Sequence, residues 1–337
     1  MSGLRALAAA WHRFWFETAD TRPLELLRIG VGLTLLLSYL GVAQNVGAFY
    51  TEGGWMPLAL TPSIEEEWST LSLLFIARSP EAAGALYVAT LGAAVAYALG
   101  WRSNLAKVVL LVGHYSFTRR APAIAYGVDD LCSNLLFLQL FVPMGTTLSM
   151  DARRRGPRSP NAWRTTARSM ALRLSQVQMA VIMGFAGLEK LQGEDWWDGM
   201  GIWFAMTDWE FNFFPLVPFA AVPYLINVLS YGSVLFELAY PALIWGRRTR
   251  TPLLLIAFAL HLGVAIVMGL VLFSLAMAIA HLAFAPSAWL DRLQQDTCPA
   301  TPQNSNVGST PASSRSSTDI DGHRDGGSTD MPRASAR

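Results

Sequence analysis

Charged residues are scarce in this chain: Asp, Glu, Lys and Arg make up 15% of its 337 residues, against about 25% in average soluble domains. Hydrophobic residues make up 53%, and the mean hydropathy is +0.34. Together with several apolar runs, this deficit excludes an ordinary soluble fold and predicts an all-α, polytopic membrane bundle. The net charge of +1 creates no field that attracts nucleic acid, so the lipid bilayer is the expected partner.

Cysteine and metal-binding patterns are equally sparse. The two cysteines, Cys132 and Cys298, form no CxxC motif, which excludes a disulfide framework and an internal redox pair. The patterns HxxxH, HExxH and ExxH do not occur, so the sequence predicts no metal site.

The N-terminus reads as an amphipathic segment rather than as a cleavable signal peptide. A helix over this region gathers apolar side chains on one face, namely Leu4, Leu7, Ala8, Trp11 and Trp15. Such a face is typical of a helix that lies in the membrane interface. We therefore predict an interfacial segment over 1–22, ahead of a membrane domain over 23–290.

Hydrophobic runs predict about eight transmembrane helices, with seven or nine as the alternatives. The predicted spans are 24–44, 81–100, 104–120, 123–143, 172–191, 221–245, 252–268 and 270–286. The last two belong to one apolar stretch, 253–285, which as a single helix would reach ~50 Å against a hydrocarbon core of ~30 Å. A break near Met268 and Gly269 is therefore expected.

Arginine placement predicts the orientation of a multi-pass protein in the cell (inner) membrane. Arginines cluster in the loop 151–171 and again at 247–250, so both regions are expected in the cytoplasm. The loops 45–80 and 192–215 are acidic and should face outward, which places both termini in the cytoplasm. The segment 291–337, rich in Ser, Thr, Pro, Gly and Asp from about 297, is predicted to be a disordered cytoplasmic tail.

Lys190 is the main functional candidate, because it ends an apolar helix that should cross the membrane. An ionisable group at membrane depth is costly, and burial of a lysine favours the neutral amine that can act as a base. Glu189, Asp129 and Asp130 fall at the same predicted outer depth, so we expect all four groups to share one outward-opening polar cavity. The alternative is that Lys190 only extends to the outer interface.

Other polar residues lie within the predicted spans. Three histidines stand on otherwise apolar helices: His114, His261 and His281. His261 is a candidate for positioning substrate or relaying a proton; the alternative for each histidine is a packed residue that donates to a backbone carbonyl. A polar stripe on the sixth span contains Glu237. Glu25 and Arg28, three residues apart near the inner face, are predicted to pair with each other.

Aromatic residues make up eight of the nineteen positions from 196 to 214. Aromatic side chains gather at the depth of the lipid head groups, so this segment predicts an aromatic belt at the outer leaflet. A roof over a lipid-binding pocket is the alternative.

Four stretches of the chain, within about 20–290, resemble the HTTM (horizontally transferred transmembrane) domain family, to which the membrane domain of vitamin K-dependent γ-carboxylase belongs. The first is PLELLR at 23–28 with AFYTEGGWMP at 48–57, and the second is 116–120 with YGVDD at 126–130. The third is LFVPMG at 140–145 with Ser149 and Asp151. The most specific is AGLEKLQGEDWWDG at 186–199, followed by His261.

By this resemblance, the lysine that deprotonates vitamin K hydroquinone in the carboxylase falls on Lys190, and a quinone or hydroquinone is the implied cofactor. The chain departs from the pattern at Glu189, where a second lysine is usual, and at 119–122, where RRAP replaces an Arg-Asn-Pro motif. The carboxylase's large extramembrane domain is replaced by the predicted tail, so we expect no carboxylation of a protein substrate.

Three functions follow as hypotheses. The first is base chemistry by Lys190 on a lipid-soluble, quinol-like substrate, with Asp129, Asp130, Glu189 and His261 positioning substrate or proton. The second is a non-catalytic scaffold or maturation factor for a redox, thiol-disulfide or secreted partner. The third, proton-coupled transport, lacks the inverted repeat expected of many transporters.

Overall fold

The computed structural model describes residues 2–57, 72–156, 161–210 and 221–297, and the regular elements in these ranges are all helical. The α-helices of the described residues are α1 (Ser2–Phe16), α2 (Arg22–Gly41), α3 (Val46–Tyr50), α4 (Leu73–Ile76), α5 (Pro80–Leu99), α6 (Ser103–Arg120), α7 (Gly127–Leu140), α8 (Met150–Arg155), α9 (Ala162–Lys190), α10 (Glu194–Trp197), α11 (Gly201–Thr207), α12 (Pro223–Leu243), α13 (Arg250–Val267), α14 (Val271–His281) and α15 (Ser287–Thr297). Short 3₁₀ turns occupy Ala43–Asn45, Pro122–Ile124 and Leu282–Phe284.

The predicted all-α membrane bundle is confirmed. Within the described ranges, four helices are long and apolar enough to cross a membrane, namely α2, α5, α9 and α13. The other predicted spans coincide with α6, α7, α12 and α14. Two boundaries were wrong: α7 has 14 residues where a span over 123–143 was expected, and α9 begins ten residues before 172. The count of eight spans therefore stays a prediction.

The apolar stretch 253–285 is broken where the sequence predicted. Helix α13 ends at Val267, α14 begins at Val271, and Gly269 between them has φ +70°. A side chain disfavours this left-handed conformation and glycine does not, so Gly269 permits the turn. The chain then reverses, and α14 packs against α13.

Helix α2 lies at the centre of the bundle, against α5, α7 and α14. Its buried face consists of Leu24, Leu27, Val31 and Leu35, at the three- and four-residue spacing of one helix stripe. A Cβ added at Gly32 would lie 2.8 Å from the backbone nitrogen of Ala98, so glycine permits the close approach of α5.

Helix α9 runs along α12, and small residues set their separation. A Cβ at Gly187 would lie 3.0 Å from the backbone nitrogen of Leu238, and one at Gly184 would lie 2.9 Å from the ring of Pro241. Glycine at these positions brings the two backbones together, as small residues do between helices in membranes. Lys190, one turn after Gly187, consequently faces α12.

The two ends of the described chain can be compared with the domain boundaries that the sequence predicted. On α1, Leu4, Leu7 and Trp11 are exposed, so protein does not cover its apolar face; its place in the membrane interface stays a prediction. Residues 291–297, which the sequence assigned to the tail, continue helix α15. Leu290 is buried, and this apolar anchor stabilises the helix before the polar sequence begins. Residues 298–337 lie outside the described residues.

Asp151 holds the first residues of α6, and its removal is expected to destabilise the fold by about 1 kcal/mol. Its carboxylate accepts hydrogen bonds from Arg102 N at 2.9 Å, Ser103 N at 2.8 Å and Ser103 Oγ at 2.9 Å. Burial alone would raise the pKa of Asp151, but these bonds and Arg155 outweigh it and lower the pKa below its usual value.

Because the folded pKa of Asp151 is the lower one, its contribution to stability is present above the unfolded pKa of about 3.9. It is lost as the pH falls through the folded value. Chemical unfolding of wild type and Asp151→Ala at pH 7 and at pH 3 measures this. An equal difference at both pH values would contradict the assignment.

Candidate functional site

Lys190 forms an ion pair with Glu237, a residue on the neighbouring helix. The Lys190 Nζ lies 2.8 Å from Oε2 and 3.0 Å from Oε1 of the Glu237 carboxylate. The lysine side chain is 23% exposed and the glutamate 7%. The ammonium also lies 5.1 Å from the ring centroid of Trp196, so this part of the aromatic segment covers the pair.

The helical faces of α9 are arranged as the sequence indicated. Gln176, Met179 and Met183, which share a face with Lys190, are buried. Glu189 is exposed and lies on the neighbouring face with Phe185, which is 62% exposed. The structure therefore turns Lys190 toward α12 and does not bring Glu189 to the ion pair.

Two buried histidines and a tyrosine form a chain next to this pair. Tyr240, three residues after Glu237 on α12, places its hydroxyl 2.7 Å from His281 Nδ1. The His281 Nε2 lies 3.2 Å from His261 Nε2, which links α14 to α13. The site thus draws on four helices: α9, α12, α13 and α14.

The far nitrogen of this chain, His261 Nδ1, is buried and has no hydrogen-bond partner among the described residues. If Tyr240 donates to His281, then His281 donates to His261, and Nδ1 of His261 must carry a hydrogen. If the chain runs the other way, Nδ1 is an acceptor. In either tautomer one polar group is unsatisfied, which is costly in a residue that is 4% exposed. A bound ligand would satisfy it.

Asp129 and His114 lie in different surroundings. The His114 Nε2 is 3.1 Å from the backbone oxygen of Asp129 and its Nδ1 is 2.9 Å from the Tyr39 hydroxyl. This geometry fits the alternative reading, a packed histidine that donates to a carbonyl. Asp129 Oδ2 accepts from Tyr126 N at 3.0 Å, while Asp130 is exposed.

The predicted cavity shared by Lys190, Glu189, Asp129 and Asp130 stays a prediction. Across the described ranges, no hydrogen bond or ion pair joins either aspartate to Lys190. The first turn of α14 connects the two regions: Leu272 lines a cavity with Asp129, and the Phe273 ring lies 6.3 Å from the His261 ring.

At the other end of α2, Glu25 and Arg28 pair as predicted, with 2.8 Å between Arg28 Nε and Glu25 Oε2 and both side chains fully buried. Arg168 of α9 joins them, with Nη2 3.0 Å from Glu25 Oε1. The Glu25 carboxylate also accepts from the backbone N–H groups of Gly145 and Thr146. This cluster fastens the segment after α7 to α2 and α9, and its bonds leave no room for a substrate.

Sequence reasoning named Lys190 and His261 as candidates and assigned no role to Glu237, His281 or Tyr240, which contact them or each other in the structure. Glu237 lay in the predicted polar stripe of α12, and His281 was one of three histidines on apolar helices. Nothing in the spacing indicated that Glu237 meets a lysine 47 residues away. Tyr240 carried no signal, because tyrosine in an apolar helix most often serves packing alone.

The side chains that would contact a quinone are Lys190, Glu237, His261 and Trp196, which supply an ammonium, a carboxylate, an unsatisfied imidazole nitrogen and an aromatic ring. Such a set fits a planar ring that bears oxygen atoms. Among the described residues, no group of three or more His, Cys, Asp or Glu side chains is placed so that it could hold a metal ion.

Comparison with known proteins gave one result. Neither the curated proteins nor the solved structures contain a match to this chain. The family model described as HTTM domain matches residues 16–289. That range covers most of the chain and includes Lys190, Glu237, His261 and Asp129. The chain is therefore a member of the HTTM-domain family of membrane proteins.

Proposed function

We propose that this protein binds a lipid-soluble, quinol-like substrate beside Lys190 and that Lys190 accepts the proton of its hydroxyl group. One observation carries the proposal: the buried Nδ1 of His261 has no partner among the described residues, and the hydrogen-bonded chain of His261 ends at Tyr240, one helical turn from the Glu237 that pairs with Lys190. A hydroxyl or carbonyl oxygen of the substrate would satisfy that nitrogen. Tyr240 and His281 would hold the imidazole in place.

Lys190 can accept a proton from the substrate only after its ammonium has passed a proton to Glu237, so the two residues act together. Transfer of one proton along the 2.8 Å contact converts an ammonium and a carboxylate into a neutral amine and a carboxylic acid. Desolvation favours the neutral pair over two separate charges. The amine of Lys190 then accepts the substrate's proton, and the resulting ammonium stabilises the substrate oxyanion. Among the described residues no hydrogen bond or ion pair joins Asp129 to Lys190, so this scheme does not use Asp129.

A non-catalytic scaffold is the second candidate, and the same contacts favour it. The ion pair joins α9 to α12, and the histidine chain joins α12 to α14 and α13. Polar bonds between helices in a membrane stabilise a bundle without any chemistry. In this case the protein would support a neighbouring redox, thiol-disulfide or secreted partner.

Binding of a naphthoquinone probe, menadione, tests the proposed place. Quinones quench tryptophan fluorescence at short range, and Trp196 lies beside Lys190. In nanodiscs we expect saturable quenching that falls sharply in Trp196→Phe and persists in Trp11→Phe, a change of an exposed residue on α1. His261→Leu should weaken binding about tenfold, the value of one hydrogen bond to a buried group. Quenching that does not saturate, or that Trp196→Phe leaves unchanged, would reject this site.

The orientation is part of the proposal: both termini lie in the cytoplasm, and the Lys190 end of α9 lies at the outer leaflet of the cell membrane. The arginine clusters at 153–173 and 247–250 support it. Alkaline phosphatase fused after Gly156 should be inactive, and the same reporter fused after Leu191 should be active. The opposite pattern would invert the topology.

A further inference from the structure

The Asp129 carboxylate lines a cavity of about 260 Å³ that is separate from the contacts of Lys190. The cavity lies where α2 ends, α6 ends and α7 begins, with Leu272 of α14 as one wall. Asp129 is 8% exposed.

Only part of the carboxylate is satisfied by the protein. Its Oδ2 accepts the backbone N–H of Tyr126, while no described residue donates to Oδ1 or forms an ion pair with Asp129. His114 contacts the backbone oxygen of Asp129 and the Tyr39 hydroxyl, so its ring nitrogens are both engaged elsewhere. A buried carboxylate without a cation is unfavourable, and a cationic ligand would remove that cost.

Aromatic rings supply the other walls. The cavity is lined by Tyr39, Phe49, Tyr50, Phe117 and Tyr126. The rings of Tyr50 and Phe117 lie 4.7 Å apart and those of Tyr39 and Phe117 5.6 Å apart. Aromatic faces attract organic cations, and a set of rings around one carboxylate is the arrangement that recognises alkylammonium groups.

Two of the three helix ends at the cavity add to the negative potential, whereas the N-terminus of α7 carries partial positive charge beside Asp129. Gly41, the last residue of α2, and Ala121, just after α6, both line the cavity. The C-terminal carbonyls of a helix carry partial negative charge and favour a nearby cation. Arg120 is the basic residue closest to Asp129 in the sequence. Its guanidinium donates to the backbone oxygen of Thr51 at 3.1 Å.

From these contacts we infer that the Asp129 cavity binds an organic ammonium group. The positive charge would pair with Asp129 Oδ1, and the alkyl substituents would pack on Tyr50 and Phe117. The ligand is either a free alkylammonium compound or the head group of a lipid such as phosphatidylethanolamine or phosphatidylcholine. This site is independent of the proposed Lys190 chemistry.

Choline and its uncharged analogue 3,3-dimethyl-1-butanol form the first test. The full-length protein in phosphatidylglycerol nanodiscs, which contain no ammonium lipid, is titrated with each compound, and binding is measured by calorimetry. Choline should bind saturably and at least about tenfold more tightly than the analogue of the same shape, since only choline has the charge. Equal binding of the two compounds overturns the inference. A lack of choline binding also overturns it if nanodiscs that contain ammonium lipids leave the Tm of the protein unchanged.

Asp129→Asn is the matched variant, because an amide oxygen can still accept from Tyr126 N while the negative charge is lost. It should weaken choline binding at least about tenfold, and Asp130→Asn, an exposed neighbour, should not change it. If Asp129→Asn does not fold, Tyr50→Leu and Tyr50→Phe decide: only the loss of the ring should weaken binding. Wild-type affinity in Asp129→Asn, or equal affinity in the two Tyr50 variants, contradicts the proposal.

Lipid composition separates the two sources of the ligand. If the head group is the ligand, phosphatidylethanolamine or phosphatidylcholine in the nanodisc should raise the Tm of wild type but not of Asp129→Asn, and added choline should have little further effect. If a free compound is the ligand, choline should bind equally well in every lipid.

Discussion

Glu25→Gln is expected to lower the free energy of unfolding by about 3–5 kcal/mol. The substitution leaves the shape of the side chain nearly unchanged but removes the negative charge between Arg28 and Arg168. The glutamate is fully buried, and both guanidinium contacts are at hydrogen-bond distance, 2.8 Å and 3.0 Å. Two buried cations would then face each other without a counter-ion. That state costs far more than the loss of one neutral hydrogen bond.

The measurement is reversible unfolding in mixed micelles, followed by far-UV circular dichroism. Asp291→Asn is the control, since it breaks an Arg22–Asp291 pair of similar length, 2.7 Å, whose aspartate is 56% exposed. That pair should contribute less than about 1 kcal/mol. If Glu25→Gln and Asp291→Asn prove equally mild, the cluster is not an important support of the fold.

A double-mutant cycle isolates the contact with Arg168. The double variant Glu25→Gln/Arg168→Gln removes one buried cation together with its anion, so its cost should be clearly less than the sum of the two single costs. Additive costs would mean that Arg168 acts through its bonds to Pro143 and Thr21 and not through Glu25.

The Glu25 cluster also shows what the sequence was able to predict. The Glu25–Arg28 pair follows from a spacing of three residues on one helix, which brings side chains together whatever the rest of the chain does. Arg168 was assigned to a basic loop, because hydropathy marks the part of a helix inside lipid and not where the helix begins. Helix α9 starts at Ala162 and buries Arg168 against α2 before the apolar run begins.

The candidate site also has one part that the sequence predicted and one part that it did not. The burial of Lys190's face of α9 followed from helical periodicity. The partner of Lys190 did not, because Glu237 and Lys190 belong to helices whose contact depends on the glycines at 184 and 187. The depth argument grouped Lys190 with Asp129, Asp130 and Glu189 and did not include Glu237. Only the packing of α9 on α12 shows that Glu237 is the partner of Lys190.

Lys190→Arg is expected to abolish the proposed base chemistry while the fold persists. The readout is oxidation of menadiol in nanodiscs, in which quinol and oxygen give quinone and hydrogen peroxide. Deprotonated quinol reacts with oxygen faster than neutral quinol, so a base raises the rate. Arginine keeps the positive charge and the pair with Glu237 but does not release its proton. We expect the protein-dependent rate to fall about 10²- to 10⁴-fold, the usual contribution of a general base.

Lys107→Arg is the matched control, because Lys107 and Lys190 are the only lysines in the chain. Lys107 is buried and donates to the backbone oxygens of Gln139 and Val142. Its replacement should leave the rate of menadiol oxidation unchanged. Glu237→Gln should lower the rate, because the carboxylate that takes the proton from the Lys190 ammonium is lost. A Lys190→Arg protein with the wild-type rate would end the catalytic interpretation.

The double variant Lys190→Glu/Glu237→Lys separates the base from the scaffold. It preserves one ion pair between α9 and α12 but moves the amine from the end of α9 to the middle of the α12 contact. If the pair only joins helices, this double variant should retain stability and function. Each single charge reversal places two like charges together, so each single variant should lose both stability and function. If Lys190 is the base, the variant should retain stability but oxidise menadiol at least about 10²-fold more slowly, because the swap moves the amine to the position of the Glu237 carboxylate, 2.8 Å from where the Lys190 amine accepts the proton.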